Sequence, residues 1–308
     1  SPDSILNMQT PVGKEIGTAG YYAATVDHSI RAELTVTERT GMARYTFSSK
    51  EKQGTVIIGG GVAATSIQVA AIKITGPHSC EGYAEGGAFC GIPTPYKVYF
   101  VAEFDADAES FGTWKEERLH ANHTFAEGSH SGVYFTFPLK EGNQAVQYKI
   151  GVSYVSVENA RENLRVENPA WDFSAVRQAT QDKWNEYLGK IEVEGDNEDR
   201  QMQFYTHLYR SLIHPNVCSD VNGEYMGADS QVHKTARKFY TSFSNWDTYR
   251  TQTALIAMLA PEETSDIVMS HYLFAEQSGG GFPRWVLANI ETGVMQGDPT
   301  PCLLYTSP

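Results

Sequence analysis

The sequence is most informative at first for what it lacks. No run approaches the about 18 consecutive apolar residues that a membrane-crossing helix needs. The opening SPDSILNMQT has no basic segment ahead of an apolar one, so it does not read as a signal peptide. It begins at Ser1 rather than at a methionine, and we expect a mature or truncated chain. Basic residues are scarce: 24 Lys and Arg stand against 37 Asp and Glu, a net charge of -13. A phosphate backbone repels such a chain, which argues against nucleic acid as a partner. Neutral, hydroxyl-rich ligands are compatible with it.

Cysteines number four, and none forms a CxxC pair, which argues against a zinc site. Cys80 and Cys90 flank a glycine-rich loop. A bridge between them and a pair of separate thiols are both open readings. GxSxG, HExxH and Walker signatures are absent. The nearest approach to a phosphate loop, GGGV at 59–62, has no Lys-Ser/Thr after it. His120, His123 and His130 lie close together at a spacing that fits no standard metal site. Asn122-His123-Thr124 matches a glycosylation acceptor, which matters only in a eukaryotic secretory setting.

What is present describes a folded protein. With 308 residues, 41% hydrophobic and 12% aromatic, the chain has material for a core, and disorder is excluded. Its character changes near residue 160. Before that point alternation dominates: Ile30, Ala32, Leu34 and Val36 interleave with Arg31, Glu33, Thr35 and Thr37. This predicts a half-buried strand with one wet face. MARYTFS, GTVIIGG, SIQVAAIKITG, YKVYFVAEF, GVYFTFPL and VQYKIGVSYV are further strand candidates, separated by Gly, Pro, Asp and Ser clusters. Strands without intervening helices predict an antiparallel β-sandwich.

After residue 160 the period is helical. Phe173, Val176, Trp184 and Leu188 share one stripe, and Asn168-Pro169 precedes it. GDNEDRQMQFYTHLYRSLIHPN predicts a second helix with an acidic first turn. A third is expected from Asn245, as N-cap, to about Met258. A fourth is expected from Pro261 to the glycines at 279–281. The expected plan is a β-sandwich over 1–158, a helical linker over 159–195, and the opening of a helical domain over 196–308.

Three stretches could carry chemistry. HPNVCSDVNGEYMG, at 214–227, offers His214, Asn216, Asp220, Asn222 and Glu224, or else a hairpin turning at Asn222-Gly223. YTSFSNWDTYR places Trp246, Asp247 and Arg250 at a helix start, where the helix dipole alone would account for the acid. An aromatic face, a carboxylate acceptor and a guanidinium donor are also what a sugar needs. GGGFPRWVLANIETGVMQGDP, at 279–299, gathers Phe282, Arg284, Trp285, Asn289, Glu291 and Asp298 in one long connection. An Arg284–Glu291 salt bridge within a packed loop is the plainer reading of it.

Together these blocks resemble a known family. ELTVTERTGMARYTF, FYTHLYRSLIHPNVCSDVNGEYMG, YTSFSNWDTYRTQTAL, PEETSDIVMSHYLFAEQSGGGFPRW and LANIETGVMQGDP, in that order, resemble the α-mannosidases of glycoside hydrolase family 92. The resemblance spans roughly residues 20–300 and implies a sandwich, a helical linker and the first helices of an incomplete (α/α)6 barrel. It implies exo-hydrolysis of terminal α-mannose in glycans, with inversion and dependence on Ca2+. It implies a secreted, periplasmic or cell-surface bacterial protein. Inverting hydrolysis uses two carboxyls roughly 6.5–9.5 Å apart, one protonating the leaving oxygen and one activating water. The family's acid, base and main calcium ligands have no counterpart in this sequence, so we expect no catalytic or metal-binding residue in the chain and no activity from it alone. What carries over is a substrate-binding set: Asp247, with Trp246 and Arg250, and more weakly Arg284, Trp285 and Glu291. Residues 300–308, with their ending CLLYTSP, do not match the family and read as a tail unrelated to what precedes. Part of a barrel also leaves apolar helix faces uncovered, so association of the isolated chain is expected. A phosphorylase-like (α/α)6 enzyme and a non-catalytic carbohydrate-binding protein, recognising sugar through its sandwich, are the alternatives.

Overall fold

A computed structural model describes residues 11–27, 29–59, 67–87, 89–116, 118–141 and 144–306. Most of the GGGV stretch, residues 60–62, lies outside these. The chain forms two compact units, residues 1–88 with 97–181 and residues 89–96 with 182–308.

The first unit is the expected antiparallel β-sandwich. Its strands are β1 (Val12–Thr18), β2 (Tyr21–Val26), β3 (Ile30–Val36), β4 (Thr40–Thr46), β5 (Gln53–Gly59), β6 (Val69–Gly76) and β7 (Ser79–Gly87). They continue as β8 (Pro95–Phe104), β9 (Ser110–Lys115), β10 (Arg118–Ala121), β11 (Phe125–Glu127), β12 (Ser131–Pro138) and β13 (Ala145–Ser153). One sheet runs β1-β2-β3-β4-β13-β8-β7-β6-β11 and the other β10-β9-β12-β5. Inward residues of both sheets build the core, among them Val56, Ile72, Phe104, Phe135 and Phe137. Phe104 packs against Phe135 and Phe137 at centroid distances of 4.9 and 4.8 Å, in the tilted geometry that aromatic quadrupoles favour. Cys80 is buried in this core and Cys90 is exposed, and both are free thiols. Burial pushes the Cys80 thiol up to about 12, so it stays protonated and unreactive.

Strand β3 departs from its simple alternation. Leu34 and Val36 are exposed, while Thr35, on the face expected to be wet, is buried and donates to the Gly20 carbonyl at 2.9 Å. Helices explain the inversion. α1 (Val157–Glu167) and α2 (Phe173–Leu188) follow the last strand. Phe173 packs on Tyr21, Ala23 and Met42. By register these share a face with Glu33 and Thr35. The polar groups there are paired: Glu33 receives Arg44 at 2.8 Å and the Tyr21 hydroxyl at 2.9 Å, and the Arg44 guanidinium lies 4.5 Å from the Phe173 ring centroid. α1 lies against β13, where Asn163 donates to the Val152 carbonyl at 2.8 Å. So α1 and the first half of α2, within the segment expected as a linker, pack as part of the sandwich unit.

The second unit is helical. α3 (Glu198–Ser211) begins at Asn197, whose side chain accepts from the Arg200 N–H at 3.0 Å, and has Glu198 and Asp199 in its first turn. The following loop has two short pairings, β14 (Asn216–Val217) with β17 (Tyr240–Thr241), and β15 (Glu224–Met226) with β16 (Val232–Lys234). Asn222-Gly223 is the expected turn: Asn222 accepts from the Glu224 N–H at 2.9 Å and Gly223 sits at φ +84°. Two helices replace the single one expected from Asn245: α4 (Asn245–Thr248) and α5 (Gln252–Leu259). Ser244, not Asn245, occupies the cap position, and the Asn245 amide instead donates to a deeper acceptor, the Pro283 carbonyl. α6 (Pro261–Gln277) runs from its N-terminal proline to the glycines as expected. The 283–292 connection forms the small hairpin β18 (Val286–Leu287) with β19 (Ile290–Glu291). Residues 300–306, read from sequence as a foreign tail, form α7 (Thr300–Thr306), with Thr300 and Leu303 buried.

Candidate functional site

The second unit holds a cavity of about 390 Å3, within the range of small-ligand sites. Its wall includes the α4 turn, the start of α5, the buried side of α6 and the first residues of the β18 hairpin.

The α4 turn is held from beneath. Asn245 is buried and its amide reaches three acceptors, each at 2.9 Å: His271 Nε2, the Pro283 carbonyl and Thr300 Oγ. His271 Nδ1 donates to the Ile267 carbonyl at 2.8 Å, the ordinary acceptor one turn back on α6. That leaves Nε2 as the acceptor for Asn245, so the imidazole is neutral with a fixed tautomer. Complete burial depresses its pKa to about 4. The Phe243 ring covers it at 3.8 Å between centroids. On this support, Asp247 lines the cavity and accepts a hydrogen bond from the Ser244 hydroxyl.

The opposite contribution comes from the hairpin. The Val286 N–H donates to the Phe243 carbonyl at 2.8 Å, and the Asn245 N–H to the Arg284 carbonyl at 3.1 Å. These bonds tie the Trp285 segment to the Asp247 turn. Glu291 folds its carboxylate onto its own loop, accepting from the main-chain N–H groups of Arg284 at 2.8 Å, Gly293 at 3.0 Å and Trp285 at 3.3 Å. The expected Arg284–Glu291 salt bridge does not form. The Arg284 guanidinium turns to the Met295 carbonyl, and only its main-chain N–H meets Glu291. Trp285 lines the cavity.

Of the six residues singled out from sequence, Asp247 and Trp285 therefore meet at one cavity, and Glu291 fixes the backbone of Trp285. Trp246, 44% exposed, is not in the cavity wall. Arg250 is not in it either; its Nε donates to the Tyr249 hydroxyl at 2.8 Å. Arg284 is engaged with its own loop. Sequence reasoning did not single out Asn245 as a support, nor His271, Gln252 or Ser242. The available signal for His271 was its place one turn after Ile267 on an apolar helix face, which a satisfied core histidine shares.

Among the described residues no three His, Cys, Asp or Glu side chains come together to hold a metal. His120 and His123 stack on one another at 5.3 Å in the first unit. Calcium requires roughly 6–8 oxygen ligands, and the cavity wall carries one carboxylate, Asp247. These residues do not form a calcium cage by themselves.

The lining sets an aromatic ring, the Asp247 carboxylate, the Arg210 side chain and several hydroxyl and amide groups among apolar walls, a combination with which a neutral polyol is compatible. The fold places the chain with proteins built as a β-sandwich followed by a helical catalytic domain. The chain belongs to glycosyl hydrolase family 92: residues 3–153 match the family's N-terminal domain and residues 159–307 its catalytic domain. A curated relative, described as an uncharacterized secreted glycosidase of Arthroderma benhamiae, is 26% identical over 255 residues, covering 76% of this chain and 32% of the relative. A family GH92 α-mannosidase from Bacteroides thetaiotaomicron superposes with a TM-score of 0.86 at 24% identity, over 94% of this chain and 40% of that one. A family GH92 inverting mannosidase from the same organism gives 0.86 at 25% identity, over 96% and 40%. The chain thus spans about a third of the curated relative and two fifths of the solved ones. The sandwich followed by helices is the fold of these neighbours, with their (α/α)6 catalytic domain.

Proposed function

We propose that this chain forms part of the terminal-mannose site of an exo-α-mannosidase that acts on α-mannose-terminated glycans outside the cytoplasm. The observation that carries this reading is the meeting of Asp247 and Trp285 at one cavity of sugar size. Asp247 accepts hydrogen bonds from ring hydroxyls; a carboxylate acceptor makes these bonds about twice as strong as neutral ones. Trp285 supplies an aromatic surface for the apolar C–H face of the pyranose. The buried Asn245–His271 pair keeps the acid where the hydroxyls need it.

Cleavage requires a second carboxyl across the scissile bond. In this reading the acid, the base and the calcium ligands lie outside these residues, and the larger protein inverts the anomeric centre. A terminal mannose is then gripped here and cut by groups supplied elsewhere. The test is to incubate the chain with an α-mannoside in calcium buffer and follow free mannose. We expect none. Turnover above the uncatalysed rate would overturn the assignment of the catalytic carboxyls to other residues.

A further inference from the structure

Residues 89–96 cluster with the helical unit, although strands of the sandwich precede and follow them in sequence. This segment opens with a tight turn, closed by the Ile92 N–H on the Phe89 carbonyl at 3.0 Å. Cys90 at φ +50° and Gly91 at φ +88° both take left-handed backbone conformations, which is uncommon for a cysteine. The turn lays the Phe89 ring on Trp285: the centroids are 5.1 Å apart and the planes 9° from parallel. A few residues on, the Ile92 side chain lies against Gly293, close enough that a Cβ there would touch it at 3.5 Å. The segment therefore meets the 284–293 loop at two points. Trp285 lines the cavity and Phe89 does not, so Phe89 packs against the indole from outside the cavity.

We infer that Phe89 is a positioning residue of the sugar site, acting through Trp285. Its ring fixes the plane of the indole, so that an aromatic surface of set tilt meets the C–H face of a pyranose. The argument is geometric. Glu291 and the hairpin hold the Trp285 main chain, but they leave the torsions of a half-buried side chain free to vary. A parallel ring on one face removes that freedom, and a pre-set aromatic surface lowers the ordering cost of binding. An aliphatic side chain of similar volume fills the space without imposing a plane.

The inference rests on the proposed sugar site, and the test separates the two. Methyl α-mannoside is titrated into the chain, with the heat of binding as readout, for the wild type, Phe89→Leu, Phe89→Tyr and Trp285→Ala. Binding by the wild type with loss in Trp285→Ala supports the site. Phe89→Leu is then expected to weaken binding about fivefold and Phe89→Tyr to stay within about twofold of the wild type, the scale of one aromatic pair. Equal affinity in Phe89→Leu and wild type would overturn the role of Phe89 while leaving the sugar site standing. Failure of the wild type to bind would remove both. If Phe89→Leu does not fold, Phe89→Met takes its place, with the same expected loss and the same overturning result.

Discussion

Asn245 donates to His271 Nε2 at 2.9 Å, wholly inside the helical unit and directly beneath the turn that carries Asp247. A surface acid is thereby fixed by a buried neutral pair. The arrangement depends on His271 staying uncharged, and this sets its pH behaviour. The folded-state pKa is lowered to about 4 by burial, below the ordinary value of 6.5. Between these two values the unfolded chain binds the proton and the folded chain does not. Stability from this group is complete above the unfolded pKa and is lost as pH falls from about 6.5 towards 4, by up to about 3 kcal/mol. Denaturant unfolding at pH 7 and pH 4.5 measures it. His271→Gln, which cannot take the proton, should be less stable at pH 7 yet show a smaller drop between the two. An equal drop in both would contradict the account.

Glu291 tests the loop. Its carboxylate accepts three main-chain N–H groups, bonds to a charged group worth roughly 1.5–3 kcal/mol each at most and not additive. Glu291→Ala should weaken mannoside binding at least fivefold by loosening Trp285, and Glu291→Gln, which keeps one acceptor oxygen, should lose less. The calorimetric affinities of the two variants decide it. Equal losses would point to direct contact between Glu291 and the sugar.

In the sandwich, Gly82 of β7 is needed for close approach. A Cβ there would stand 2.1 Å from the Ala71 carbonyl of the neighbouring strand. Gly82→Ala must displace backbone in a paired ladder, and overpacking of this kind costs about 1–3 kcal/mol. Chemical denaturation of the variant should show that loss; an unchanged midpoint would mean the strands separate more easily than their packing indicates.

The helical unit leaves large apolar side chains in solvent: Met258 is 80% exposed, Met202 64% and Tyr272 53%. Uncovered apolar surface promotes association. Size-exclusion chromatography across a tenfold concentration range should show self-association, and a monodisperse monomer at all concentrations would contradict this.

The legible parts of the fold were those with strong local signals. The long strands β4, β6, β8, β12 and β13 alternate or run apolar, and α6 has proline and acids at its start and glycines at its end. β7 was missed because Gly82, Gly86 and Gly87 and its acids look like loop, when Gly82 serves close strand packing. The burial of Thr35 was not legible, because a helix more than a hundred residues later covers that face. At the site, Asp247 and Trp285, which line one cavity, were legible as residue types suited to a sugar. The Asn245–His271 support was not, since a hydrogen bond between distant residues leaves no local pattern. Neither was the route of the Arg284 guanidinium to a carbonyl in place of Glu291.

The central claim is that Asp247 grips the hydroxyls of a mannoside. Isothermal titration of methyl α-mannoside into the wild type and Asp247→Ala tests it most directly. Loss of a charged acceptor facing sugar hydroxyls should weaken binding about tenfold or more, with the unfolding midpoint nearly unchanged because Asp247 is exposed. Equal affinity in the two proteins would contradict the claim and move the sugar site to the sandwich.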